Sequence, residues 1–263
     1  MSTIRLDLSA TATYDLPKES FLLLMVEPRL QGEHHTVLQE SLRTSPTPFS
    51  ELVFDGFGNP LRRLVAPAGP FTFDFTATVE TARNTAIPVD AMEHDPRDLP
   101  PDILLYTLPS RYCQSDQLSR LAMSEFSSIT PGGGRIQAIT EWVRTHVEYQ
   151  YGTTNAMTSA YDTAVQRIGV CRDFAHLTIA FCRALDIPAR YVSGYCLELD
   201  PPDFHGWAQV YIGGEWRNVD ATFAGTREAL VPIAYGRDAV DVSLLTVWRT
   251  STFCTQSVVV KRA

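Results

Sequence analysis

Long hydrophobic runs are absent from this chain of 263 residues, whose longest apolar stretch is Phe21 to Val26. A transmembrane helix needs about 20 apolar residues, so we expect no membrane-spanning segment and interpret this stretch as a buried strand. The amino terminus also lacks a basic stretch followed by an apolar run, which is the pattern of a signal peptide. We therefore expect a cytoplasmic protein.

Positive charge is scarce as well. Lysine and arginine together number 22 against 30 aspartate and glutamate residues, which gives a formal net charge of −8. Proteins that bind nucleic acids or anionic membranes present a basic face. We therefore expect no nucleic acid and no membrane among the partners of this chain.

The cysteines are few and odd in number, and no CxxC pair occurs among them. This number and spacing indicate neither a disulfide scaffold nor a zinc ribbon. We expect free thiols, most of them small buried residues, and no cofactor or metal. The cysteines are Cys113, Cys171, Cys182, Cys196 and Cys254.

Period-2 patterning dominates the first hundred residues. Phe71, Phe73 and Phe75 alternate with polar residues, as in a half-buried strand. Turn-forming residues at 55–59 separate two apolar stretches and predict a hairpin. We expect an amino-terminal antiparallel β-sandwich or barrel domain over residues 1–100.

Helical patterning begins after a proline-rich stretch at 95–101, which we interpret as a linker. A helix predicted from about 170 to 185 is followed by a proline that ends it, and several strands come next. The fold class is therefore α+β, with helices packed on an antiparallel sheet over residues 101–263. The predicted strands are 190–199, 204–212, 215–220 and 251–262.

Cys171 lies at the start of the predicted helix. A lone cysteine on the apolar side of a helix is more often a core residue, and we interpret Cys182 in that way. At a helix start, however, free backbone N–H groups and the helix dipole favour an anion. The thiolate is the nucleophilic form of cysteine, so Cys171 is a candidate nucleophile.

His205 and Asp220 fall on two strands that Gly213 and Gly214 join. A two-residue glycine turn is typical of a tight hairpin, and it sets the register of the two strands. In that register the imidazole and the carboxylate are diagonal neighbours on one face, within reach of a hydrogen bond. A slip by one residue would place Asp220 on the opposite face.

Four short motifs resemble those of bacterial transglutaminase-like cysteine peptidases. The motifs are Gly-Val-Cys171-Arg-Asp, Ile187-Pro-Ala-Arg, His205-Gly-Trp and Val-Asp220-Ala-Thr. The resemblance extends over nearly the whole chain and implies a catalytic domain with a papain-like core at 101–263. It implies Cys171 as nucleophile, His205 as general base and acid, and Asp220 as the residue that orients His205.

Two residues depart from the family pattern. Gly206 replaces the usual alanine after the histidine, a change that we expect to be harmless. Ala221 replaces the usual proline after Asp220, which loosens the backbone there but leaves the carboxylate in place.

The expected reaction is hydrolysis of a peptide or small amide through a Cys171 thioester. Water is the expected acceptor because no sequence feature marks a calcium site or a second protein substrate. The alternatives are transfer to an amine, as in a transglutaminase, and a non-catalytic scaffold protein that keeps the fold. A less favoured alternative is a metal site built from Cys171, His176, Cys196 and His205. The sequence leaves the oligomeric state open.

Overall fold

The structure is a computed structural model that describes residues 2–29 and 34–263. Fourteen strands and five α-helices occur in these residues, and none of the helices is long and apolar enough to cross a membrane. The strands are Thr3–Leu16 (β1), Ser20–Leu24 (β2), His35–Ser45 (β3), Ser50–Phe54 (β4), Pro60–Ala66 (β5), Gly69–Ala82 (β6), Glu148–Tyr149 (β7), Ile168–Gly169 (β8), Ala189–Cys196 (β9), His205–Ile212 (β10), Glu215–Val219 (β11), Leu230–Gly236 (β12), Leu245–Val247 (β13) and Thr252–Arg262 (β14). The helices are Pro101–Leu104 (α1), Ser115–Phe126 (α2), Gly133–His146 (α3), Ala160–Gln166 (α4) and Cys171–Ala184 (α5).

The strands form three antiparallel sheets of four strands each, together with a short parallel pair. Their orders are β14-β1-β6-β3, β13-β2-β5-β4 and β11-β10-β9-β12, and β7 pairs with β8. Antiparallel sheets combined with packed helices confirm the predicted α+β class.

Alternation places one face of the amino-terminal strands in the core. Phe71, Phe73 and Phe75 on β6 are all buried, while the polar residues between them are half-buried or exposed. The predicted hairpin joins β4 to β5, and Asp55 Oδ1 accepts hydrogen bonds from the backbone N–H groups of Phe57 and Asn59 at 2.8 Å. The Asp-Gly turn chemistry thus fixes this hairpin as the sequence predicted.

The carboxyl-terminal strands complete the amino-terminal sheets. β14 pairs with β1 from Leu6↔Arg262 to Asp15↔Thr252, and β13 pairs with β2. The final strand was predicted from the sequence, but its partner was not. The division into domains at residue 100 stays a prediction, and two sheets contain strands from both sides of it.

The third sheet carries the helices. α5 packs on β9 and β10, and α2, α3 and α4 pack against α5. Asp173 caps the start of α5, since its Oδ2 accepts a hydrogen bond from the Val170 N–H at 2.9 Å. A carboxylate in the first turn also interacts favourably with the helix dipole. The helix therefore begins at Cys171, as predicted.

Two buried polar side chains tie the amino-terminal strands to the third sheet. Asn59 Nδ2 donates to the Tyr235 carbonyl at 2.7 Å, and its Oδ1 accepts from the Tyr235 N–H at 2.9 Å. The Tyr195 hydroxyl donates to the Val26 carbonyl at 2.8 Å. These bonds satisfy buried backbone groups across the junction, so breaking either leaves an unpaired polar group in the core.

Candidate active site

Cys171 is the first residue of α5 and is partly accessible to solvent. Its position next to the free N–H groups of the first helical turn favours a negative charge on the sulfur. Cys182, in the middle of the same helix, is fully buried, and burial raises the pKa of its thiol to about 12. The two cysteines on α5 thus have the different environments that the sequence predicted.

His205 and Asp220 meet as the hairpin register predicts. β10 pairs with β11 from Ile212↔Glu215 to Ala208↔Val219, and Asp220 follows directly after the ladder. His205 Nε2 and Asp220 Oδ2 lie 2.7 Å apart, and both side chains are buried. The predicted register is confirmed, and the imidazole–carboxylate hydrogen bond is formed.

The Cys171 sulfur lies beside the imidazole of His205, within hydrogen-bonding reach of the ring. The second ring nitrogen, Nδ1, is buried and completes no hydrogen bond of regular geometry. The two side chains are therefore adjacent but not fully aligned, which is common in catalytic pairs before a substrate binds. Cys171, His205 and Asp220 thus form one continuous group.

The electrostatics of this group favour a charged imidazole. Burial on its own lowers the pKa of His205, but the hydrogen bond to Asp220 and the neighbouring Cys171 sulfur raise it to about 9. His205 is consequently an imidazolium at neutral pH, although it is buried. A cation beside the sulfur stabilises the thiolate form of Cys171.

Four hydrogen bonds saturate the Asp220 carboxylate. Oδ2 accepts from His205 and from Arg227 Nε at 3.0 Å, while Oδ1 accepts from the Thr222 N–H at 3.0 Å and from its hydroxyl at 2.6 Å. Burial would raise the pKa of Asp220, but the bond from His205 and the other donors hold it well below its usual range. Asp220 is therefore an anion that cannot rotate freely.

Arg227 and Thr222 were not among the predicted site residues. Thr222 lies two residues after Asp220, which is the spacing of an Asx turn, so local sequence contained a usable signal for it. Arg227 lies in the loop that leads to β12, and no motif or periodicity connects it with Asp220. Only the folded loop brings them together.

Tyr149 supplies a hydroxyl next to Cys171. β7 pairs with β8 so that Tyr149 lies opposite Gly169, two residues before the cysteine. The backbone N–H of Cys171 faces the phenol oxygen, and the ring packs near Phe174. Burial, followed by the charge of the Cys171 sulfur, raises the pKa of Tyr149, so the phenol keeps its proton.

Gly206 is not a neutral departure from the family pattern. A Cβ atom at this position would lie 2.8 Å from Cζ of Tyr191 and still closer to its hydroxyl oxygen. The Tyr191 ring comes from β9, is buried, and lies 5.1 Å from the His176 ring. The glycine thus provides the space that this tyrosine occupies directly beside His205.

His176 has a structural role. It is fully buried in α5, and its Nε2 accepts a hydrogen bond from the Ala239 N–H at 3.1 Å. Burial lowers the pKa of His176 well below its usual value. Across residues 2–29 and 34–263, no group of three or more potential ligands is arranged to hold a metal ion.

Comparison with known proteins identifies the family of this chain. Residues 120–221, which include Cys171, His205 and Asp220, match the family model described as the Transglutaminase-like superfamily. The crystal structure of "a putative cysteine protease" from Cytophaga hutchinsonii is 37% identical, with a TM-score of 0.91 over 100% of this chain and 91% of that one. The chain belongs to the transglutaminase-like superfamily.

Relatives of this superfamily member also occur in mycobacteria. An uncharacterized protein of Mycobacterium leprae (strain TN) is 36% identical over 121 residues, which are 42% of each chain. An uncharacterized protein of Mycobacterium tuberculosis (strain ATCC 25618 / H37Rv) is 29% identical over 180 residues, which are 62% of this chain and 54% of that protein. The chain thus matches about half the length of these curated relatives.

We predict that Gly206→Ala destabilises the protein by about 1–3 kcal/mol, because the new methyl group overpacks the site against Tyr191. Gly56→Ala is the matched control, since no atom lies within 4 Å of a Cβ placed there. Its expected effect is within about 0.5 kcal/mol. Thermal and urea unfolding measure both variants. In a Tyr191→Leu background the cost of Gly206→Ala should shrink, and equal costs in both backgrounds would contradict the steric explanation.

Proposed function

We propose that this protein is a thiol enzyme that cleaves an amide bond by acyl transfer through Cys171. The observation that carries the proposal is the position of His205, which bonds the Asp220 carboxylate on one side and lies against the Cys171 sulfur on the other. Membership of the transglutaminase-like superfamily supports a thiol-dependent activity in general. The name given to the Cytophaga hutchinsonii structure supports a peptidase in particular.

The first step forms a thioester. The Cys171 thiolate attacks the carbonyl carbon of the substrate, a sulfur–carbon bond forms, and the carbon–nitrogen bond breaks. The departing nitrogen takes the proton of the His205 imidazolium and leaves as an amine. Neutral His205 then removes a proton from water, whose oxygen attacks the thioester and releases the acid and the thiolate.

Two donors are available to the negative charge that develops on the carbonyl oxygen. One is the backbone N–H of Cys171, and the other is the Tyr149 hydroxyl, which this N–H faces. We propose that the substrate oxygen replaces the phenol oxygen as acceptor of the N–H, while the phenol turns to donate its proton. Because the pKa of Tyr149 is raised, it remains a donor in neutral and mildly alkaline solution.

Hydrolysis is the proposed outcome, with a peptide or small amide as substrate and the cytoplasm as location. Transfer to an amine uses the same thioester and differs only in the acceptor, so the product distinguishes the two reactions. A scaffold protein without turnover would not require the His205 pKa to be raised beside a partly accessible thiol. The intact group of three side chains therefore favours an enzyme.

We predict that a library of peptides and amides acylates the protein at Cys171, and that intact-mass spectrometry detects the adduct. Cys171→Ala should form no adduct and show no turnover, because the nucleophile is gone. Cys254→Ala is the matched control, since Cys254 is an exposed thiol on β14 that has no part in the group of Cys171, His205 and Asp220. It should form the adduct at the wild-type rate. Turnover retained by Cys171→Ala would overturn the assignment.

We also predict that Asp220→Asn keeps the fold and lowers kcat/KM by less than the roughly 10⁴-fold that the equivalent change costs a serine protease. Without the carboxylate the pKa of His205 falls, so the alkaline limit of kcat/KM, which depends on the imidazolium as the acid, moves to lower pH. Asp7→Asn is the control, because the exposed Asp7 carboxylate accepts a hydrogen bond from the Thr78 hydroxyl in the amino-terminal sheet. A wild-type rate and pH profile in Asp220→Asn would exclude Asp220 from the site.

A further inference from the structure

We propose that Arg227 is a positioning residue that shares one oxygen of Asp220 with His205 and thereby limits how strongly Asp220 holds the imidazolium. The inference rests on the proposed function of Cys171, His205 and Asp220. It concerns a residue outside the motifs of the sequence and outside the matched family region at 120–221.

The geometry places two donors on one acceptor. His205 Nε2 lies 2.7 Å from Asp220 Oδ2, and Arg227 Nε donates to the same oxygen at 3.0 Å. The other oxygen, Oδ1, is held by Thr222 through its N–H and its hydroxyl. Asp220 therefore cannot turn toward His205 without losing a bond to Arg227 or Thr222.

Arg227 itself is fixed by contacts that do not involve the imidazole. Its guanidinium lies over the Phe223 ring, 4.2 Å from the centroid, and its side chain is only 12% exposed. Its backbone carbonyl accepts a hydrogen bond from Asn84 at 2.9 Å. The position of the positive charge is thus set by the loop after β11, in a poorly solvated place where charges act more strongly than in water.

The charges around His205 determine what Arg227 does. Asp220 and Cys171 face the ring and raise its pKa to about 9, and the carboxylate of Asp203 lies nearby. Arg227 is a cation whose charge acts against that of the imidazolium. Its Nε and the Nε2 of His205 lie within about 6 Å of each other, since both bond Oδ2 of Asp220. Repulsion at this distance, together with the shared acceptor, weakens the hold of Asp220 on the imidazolium proton.

The strength with which Asp220 holds the imidazolium proton matters for the first chemical step, in which His205 must give this proton to the departing amine. An imidazolium held too tightly is a poor acid, because proton transfer works best when the pKa lies near the working pH. Arg227 therefore keeps Asp220 ionised and oriented while it prevents the carboxylate from binding the proton too firmly.

A cavity of about 240 Å³ connects Asp220 and Arg227 with the solvent. Asp220 and Arg227 line it together with Asn218 and Phe223 from the same region and Arg144 from α3. Arg144 provides an internal control, because it lines the same cavity but pairs with Glu141. The cavity is also large enough to admit a free guanidinium ion when the Arg227 side chain is removed.

The test is the pH dependence of kcat and kcat/KM in Arg227→Gln, whose alkaline limit reports loss of the His205 imidazolium proton. We expect the alkaline limit to move up by about one pH unit, with kcat about tenfold lower and KM nearly unchanged. Arg144→Gln should match the wild type. Arg227→Lys, which keeps a cation but not the Nε geometry, should lie between the wild type and Arg227→Gln.

Chemical rescue provides a second measurement. In Arg227→Ala, millimolar guanidinium chloride should return the alkaline limit toward its wild-type position, whereas equal sodium chloride should not. A folded Arg227→Gln variant with the wild-type alkaline limit, or a limit moved to lower pH, would overturn the role of Arg227. Loss of the proposed function is distinguishable, because then wild-type protein itself would show no turnover that depends on Cys171.

Discussion

The hydrogen bond between His205 and Asp220 is the interaction on which the rest of the site depends. Two buried ionisable groups are costly unless they pair and their remaining hydrogen-bonding positions are filled, as Thr222 and Arg227 fill those of Asp220 here. The raised pKa of His205 gives the pairing a pH dependence. Its contribution to stability is fully present below about pH 6.5, the ordinary value for histidine, and is lost as the pH rises through about 9.

The packing of α5 against the third sheet places Cys171 next to His205 and Asp220. α5 packs on β9 and β10, so the helix start that carries Cys171 lies over the strand that begins with His205. Gly206 lets the Tyr191 ring fill the space between these elements. The amino-terminal strands are joined to the same sheet through Asn59 and Tyr195. The positions of the reacting groups thus depend on contacts made throughout the chain.

Much of this arrangement follows from local sequence, because its determinants are local. Gly213 and Gly214 select a two-residue turn, and the turn fixes the register that brings Asp220 to His205. The strand β12 was missed because it is buried on both faces and shows no alternation. The contact of Tyr149 was missed because two very short strands form it, and no periodicity marks them. The contact of Arg227 was missed because this residue, although only seven positions after Asp220, lies in an irregular loop whose course no pattern encodes.

Direct titration of the His205 ring tests the central claim most closely. Nitrogen NMR of histidine-labelled protein would follow each of the six histidines, and His205→Gln would assign the relevant signal. We expect an imidazolium through neutral pH, with a transition near pH 9 that moves to lower pH in Asp220→Asn. A neutral ring at pH 7, with a transition below about 6.5, would contradict a proton held between Asp220 and Cys171.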